Sequence, residues 1–132
     1  MDYITDIISR YEADLQKVKQ DGFALQFVVK EQTRELCLAA VRYRGYALEY
    51  IKEQTPELCL EAVKKDGVYL YYVKEQTYEI CLEAVKHHGF YLYYVNEQTY
   101  EICLEAVKQH GYALQFVKDP LIIAQIKLEL QL

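Results

Sequence analysis

The sequence lacks the features by which a chain usually declares a compartment or a chemistry. No run of apolar residues approaches the roughly 20 of a membrane-spanning helix. Met1–Gln20 holds acidic residues and no apolar core of signal-peptide length. These two absences lead us to expect a cytoplasmic chain with no membrane association. Charge of one sign is never massed, because 20 acidic and 15 basic residues are mixed along the chain for a formal net charge of -5. With no acidic tail and no basic arm, long-range attraction to a nucleic-acid backbone or an anionic membrane is disfavoured. The four cysteines never form a Cys-x-x-Cys pair, the close spacing that a zinc site would need. No stretch carries a recognisable catalytic or cofactor signature, so neither an enzyme nor a bound cofactor is expected.

What the sequence has is repetition. The stretch Glu53-Gln54-Thr55-Pro56-Glu57-Leu58-Cys59-Leu60-Glu61-Ala62-Val63-Lys64 recurs in close copies at Glu31–Arg42, Glu75–Lys86 and Glu97–Lys108. The five glycines, Gly22, Gly45, Gly67, Gly89 and Gly111, mark the period at spacings of 23, 22, 22 and 22. Cys37, Cys59, Cys81 and Cys103 keep 22 throughout, so one extra residue lies between Gly22 and Cys37. It is most simply Val28 or Val29, and a local irregularity is expected there. With 52% apolar residues over 132 positions, one domain with a continuous core is the default.

Each period reads as two helices. Tyr46–Ile51 is apolar except at one position, consistent with a short helix that shows a narrow edge to water. Lys52-Glu53-Gln54 then turns the chain. Thr55 is a good N-cap, Pro56 suits the first helical position where its missing N–H costs nothing, and Glu57 faces the positive end of the helix dipole. Along the second helix, Leu58, Cys59, Leu60, Ala62 and Val63 form a wide apolar arc. Glu57, Glu61, Lys64 and Lys65 complete the surface with acid-before-base pairs. Gly67 is read as a left-handed residue that ends the helix and lets the chain turn back.

The ends differ from the middle. Ile4, Ile7, Ile8, Tyr11, Leu15 and Val18 recur at helical steps, giving an N-terminal capping helix over 1–21. Asp119-Pro120 repeats the cap and proline logic, and a C-terminal cap follows over 118–132. Its tail also alternates at strand period, but the cap favours helix. Neither helix of a 22-residue unit can bury its apolar arc alone, so units must stack. The expected fold is all-α, an α-solenoid of about four to five helix-turn-helix repeats over 22–117, right-handed or left-handed, with atypical capping helices. A leucine-rich repeat competes at this period, but its alternating leucines ending in Asn are absent.

The run Glu-Gln-Thr-x-Glu-Leu/Ile-Cys-Leu-Glu-Ala-Val-Lys, followed by the glycine and a Tyr/Phe-Val/Ile pair, resembles a group of short bacterial and viral repeats, the domain of unknown function 4116. The likeness covers Gly22–Val117. It implies a tandem helical array with no assigned enzymatic activity, and it transfers no functional residues.

Several side chains could carry a function, and each has a structural reading beside it. Equivalent cysteines in adjacent units sit about one helix spacing apart, beyond the ~4.4–6.8 Å between Cα atoms that a disulfide accepts. Free, buried core thiols are expected. His88 and His110 stand where Asp66 stands, at helix ends that a partly positive side chain complements. A metal held by both would have to bridge two units. The ladders Glu31, Glu53, Glu75, Glu97 and Glu35, Glu57, Glu79, Glu101 lack the paired asymmetry that carboxylate catalysis uses and read as solvated edges. Gln32, Gln54, Gln76 and Gln98 read as hydrogen-bonding along the stack or to backbone in the turns.

The informative positions are those where units differ. The first two units place Ala24, Gln26 and Ala47, Glu49 where the next two place Tyr69, Tyr71 and Tyr91, Tyr93, and the last reverts to Ala113 and Gln115. Tyr78 and Tyr100 likewise replace Arg34 and Pro56. Tyrosine offers a large contact area at low entropy cost with a polar tip, so a tyrosine-rich face on the middle repeats is the candidate partner-binding surface: Tyr69, Tyr71, Tyr78, Tyr91, Tyr93 and Tyr100. Packing between units is the competing account, above all for Tyr69 and Tyr91. The function expected is non-catalytic protein–protein interaction. Two alternatives stay open: stacking of single-stranded nucleic acid on the same rings, and pairing of two copies through Tyr71, Tyr93 or the apolar tail.

Overall fold

A computed structural model describes residues 2–27 and 31–132. The irregularity expected at Val28 or Val29 lies outside these. Among the described residues seven α-helices follow one another: α1 (Tyr3–Gln20), α2 (Ala24–Phe27), α3 (Arg34–Tyr43), α4 (Pro56–Lys65), α5 (Tyr78–His87), α6 (Tyr100–Gln109) and α7 (Pro120–Leu130). Between α3 and α7 they alternate with four six-residue 3-10 helices, Gly45–Tyr50, Gly67–Tyr72, Gly89–Tyr94 and Gly111–Phe116. Among the described residues there is no strand. The chain is an α-solenoid of two layers: α3, α4, α5 and α6 stack in order, and the 3-10 helices stack in order beside them. The long helix α1 packs on α3 at one end and α7 on α6 at the other.

The caps expected from sequence are formed. Thr33, Thr55, Thr77 and Thr99 hydroxyls accept from the backbone N–H groups of Leu36, Leu58, Ile80 and Ile102 at 3.2, 3.3, 3.2 and 3.2 Å. Asp119 Oδ1 accepts from Leu121 N–H at 2.9 Å, and Pro120 opens α7. The tail is therefore helical to Leu130. In α4 the side chains of Leu58, Cys59, Ala62 and Val63 are buried, and the same four positions are buried in α3, α5 and α6. Each full burial of a Leu, Ile or Val contributes about 1.5–3 kcal/mol, so the repeated arc is the main source of cohesion.

In the units that begin at Gly45, Gly67, Gly89 and Gly111 the first half is a 3-10 helix, whereas the Gly22 unit has the short α2 there, and the apolar spacing explains the 3-10 form. Leu48 and Ile51, Leu70 and Val73, and Leu92 and Val95 are buried pairs three residues apart, and residues i and i+3 eclipse at three residues per turn. The glycine reading needs correction. No described glycine has a positive φ. Helix α4 ends instead on Asp66, which is extended (φ -159°, ψ 126°) and donates its N–H to Ala62 O. Gly67 is required by proximity, since a Cβ there would lie 2.6 Å from Ala84 O and 2.7 Å from the Tyr91 ring.

Adjacent units are pinned through the glutamine column. Gln54 Nε2 donates to Leu48 O and Tyr72 O at 2.9 Å each, and its Oε1 accepts from Lys74 N–H at 3.0 Å. Gln32, Gln76 and Gln98 repeat the forward bonds, to Tyr50 O and Lys52 N–H, Tyr94 O and Asn96 N–H, and Phe116 O and Lys118 N–H. One side chain thus fixes the register of the following turn. This uses both ends of an amide, which Glu could not do.

Candidate binding surface

The 3-10 layer positions the candidate surface. With Leu70, the fourth residue of the six-residue helix, and Val73, the residue that follows its end, turned inward, the side chains between them lie toward the outer face. Tyr71 and Tyr93 are 66% and 62% exposed, whereas Tyr72, Tyr94 and Phe116 are half-buried. The rings form one continuous path. Tyr71 meets Tyr72 and Tyr94 edge to face, with centroids 5.2 and 5.6 Å apart. Tyr93 meets Tyr94 and Phe116 likewise at 5.5 and 5.7 Å, and Phe90 closes on Phe116 at 5.1 Å. Each exposed ring therefore leans on the half-buried ring of the next unit. T-shaped pairs of this kind add about 0.5–1.5 kcal/mol each beyond area, so the ridge is held rigid before any partner arrives.

The other tyrosines singled out by sequence lie elsewhere. The Tyr69 ring covers Gly45, and the Tyr91 ring covers Gly67 and donates its hydroxyl to Asp66 Oδ1 at 3.3 Å. Burial, with the neighbouring Asp66 carboxylate, raises the Tyr91 phenol above its ordinary pKa. Both rings fill the seams between units. Tyr78, exposed, and Tyr100, half-buried, open α5 and α6, and neither pairs with an aromatic ring of the ridge. The structure thus brings Tyr71 and Tyr93 together with Tyr72, Tyr94, Phe90 and Phe116. Tyr72, Tyr94 and Phe116 went unread because their position is aromatic in every unit and so marks no difference between units; Phe90 stands at another position, directly after the glycine. The signal that finds Tyr72, Tyr94 and Phe116 is adjacency: each follows directly on the position that varies.

The cysteines, the glutamates Glu57 and Glu61 and the histidine pair sit in structural settings. Cys37, Cys59, Cys81 and Cys103 are free and buried. Burial pushes the thiols of Cys59, Cys81 and Cys103 up to about 11 and raises that of Cys37. Glu57 pairs with Arg34 and Glu61 with Arg42 of the preceding unit, the latter at 2.8 Å. His88 and His110 stack face to face, with centroids 3.9 Å apart and planes inclined by 21°. His88 Nδ1 accepts from Phe90 N–H at 3.1 Å, and His110 Nδ1 accepts from Gly89 N–H at 3.3 Å. Asp66 Oδ1 does the first of these jobs one unit earlier, accepting from Val68 N–H at 3.0 Å. The two imidazoles therefore cap and join turns.

Fold and surface together define a helical-repeat protein with an aromatic ridge on its middle units. The sequence model of the family described as Domain of unknown function (DUF4116) matches residues 55–98 and again 77–122, two overlapping matches displaced by one period that together span just over half of the chain. The chain belongs to this family. No curated protein and no solved structure matches it.

Proposed function

We propose that the chain is a non-catalytic binding module of the cytoplasm that holds a protein partner against the ridge of Tyr71 and Tyr93. The observation that carries this reading is the continuous path of rings from Tyr72 to Phe90, in which the two most exposed members stand on half-buried ones. Interface hot spots are enriched in tyrosine set in such packed surroundings. Thiolate catalysis in particular is disfavoured: buried and raised to about 11, the thiols of Cys59, Cys81 and Cys103 hold little thiolate near neutrality. Free thiols also suit a reducing compartment, and among the described residues no helix is long and apolar enough to cross a membrane.

A pull-down from native lysate tests the proposal, comparing the natural chain with the Tyr71→Ala/Tyr93→Ala double variant while circular dichroism confirms equal helicity. Loss of two hot-spot tyrosines should weaken retention of the partner by about tenfold or more. Equal recovery by both chains would remove the ridge as the binding surface. Salt-sensitive retention of single-stranded oligonucleotides would favour base stacking instead, a reading that the net charge of -5 opposes.

A further inference from the structure

Resting on that reading, we infer that the ridge is shaped for a proline-rich segment in the polyproline II conformation, laid along the repeat axis. Pitch is the first reason. Tyr71 and Tyr93 are equivalent side chains of adjacent units, so they stand about one helix spacing apart, ~8–10 Å. A polyproline II helix rises ~3.1 Å per residue with three residues per turn, or ~9.3 Å per turn. Prolines on one edge of that helix therefore recur at the interval of the tyrosines. One can settle over the half-buried Tyr94 ring between the Tyr71 and Tyr93 walls, and the next over Phe116.

Hydrogen-bonding capacity is the second reason. The hydroxyls of Tyr46 and Tyr91 are bound to Asp21 and Asp66. Those of Tyr71, Tyr72, Tyr93 and Tyr94 make no hydrogen bond to a described residue. The ridge thus presents donors in a row. A proline backbone has carbonyl acceptors and no N–H, and in polyproline II those carbonyls point outward unpaired. A helix or a strand would arrive with its backbone groups already committed or needing an edge to pair with, and the ridge offers no such edge.

Charge supplies the third reason. Gly67–Val73 and Gly89–Val95 contain no charged residue, which matches an uncharged proline run. At the N-terminal end of the column the tyrosine position is taken by Glu49, which is exposed. A basic residue beside the proline run would meet that carboxylate. A pre-formed ligand on a pre-formed ridge also loses little conformational entropy on binding.

The test is an amide-shift titration of the full chain with a peptide of about ten prolines, roughly three turns, flanked by arginine. An equally long Gly/Ser peptide with the same arginines is the control. We expect saturable binding of the proline peptide only, with shifts confined to Gly67–Val73, Gly89–Val95 and the neighbouring turns. Tyr71→Ala/Tyr93→Ala should weaken it about tenfold. Tyr71→Phe/Tyr93→Phe, which keeps the rings and removes two donors, should weaken it several-fold. Glu49→Gln should weaken it roughly two- to fivefold. Equal binding of the Gly/Ser peptide, or shifts away from the ridge, would overturn the inference. If the proline peptide fails while the double alanine variant still loses a lysate partner, the inference falls and the binding-surface reading stands. If neither assay responds to that variant, both fall.

Discussion

Replacing Gln54 by Glu is the sharpest probe of how units hold one another. In the native chain the Gln54 amide donates twice, to Leu48 O and Tyr72 O, while its oxygen accepts from Lys74 N–H. Truncation to Ala removes these three bonds, each contributing a net ~0.5–1.5 kcal/mol, and the weaker one that Oε1 accepts from Cys59 Sγ at 3.5 Å, so a loss of roughly 2–4 kcal/mol is expected with water partly replacing the missing groups. Glutamate is nearly isosteric and keeps the bond from Lys74, but it sets a charged oxygen against two carbonyl oxygens. Gln54→Glu should therefore be less stable than Gln54→Ala near neutral pH. The sign of the pH effect follows. Facing carbonyls raises the folded-state pKa of the new carboxyl, so the native state holds its proton more tightly than the unfolded state. Stability then rises as pH falls through that raised value, because a protonated carboxyl can donate again. Urea denaturation read by circular dichroism measures the losses, and hydrogen exchange at Lys74 locates them. A Gln54→Glu chain as stable at neutral pH as Gln54→Ala, with no gain on acidification, would refute the pin.

Two further outcomes are expected. Gly67→Ala must move Ala84 O or the Tyr91 ring, which its Cβ would approach to 2.6 and 2.7 Å, whereas Gly111→Ala meets nothing within 4 Å. The first should cost about 1–3 kcal/mol and the second should be neutral or stabilise by about 0.4–1 kcal/mol, as compared by denaturant midpoint. The thiols of Cys59, Cys81 and Cys103, raised to about 11 by burial, favour the native state while they stay protonated. That contribution is complete below their unfolded pKa near ~8.5 and is lost as pH rises toward 11. Alkaline titration should therefore loosen the core, and alkylation in the native state should lag far behind that of the unfolded chain.

The features legible in the sequence were those set by local physics. Thr55 and Pro56 mark a helix start through their own backbone chemistry, and a 22-residue return of Gly and Cys demands stacking wherever it occurs. Gly67 was misread for the same reason in reverse. Its local explanation, a left-handed turn, was plausible, but the actual one is the approach of Ala84 and Tyr91 from the next unit. The 3-10 form of Gly67–Tyr72 was likewise hidden, since Leu70 and Val73 show a three-residue spacing that short α-helices share. Tyr71 and Tyr93 could be picked out because they break a column. Tyr72 and Tyr94 keep theirs, so their place beneath the exposed rings appears only once neighbouring units are stacked. The face-to-face contact of His88 and His110 also needs that stacking.

The forward bonds of the glutamine column make each unit a plug at one side and a socket at the other, with the same shape every time. A chain built this way can gain or lose a whole module by duplication or excision without any new surface having to be invented. What such a lineage is free to alter is the small set of outward positions that the glutamine bonds do not use. Tyr71 and Tyr93 beside Glu49 and Gln115 are the record of that freedom: one scaffold, lettered differently from module to module.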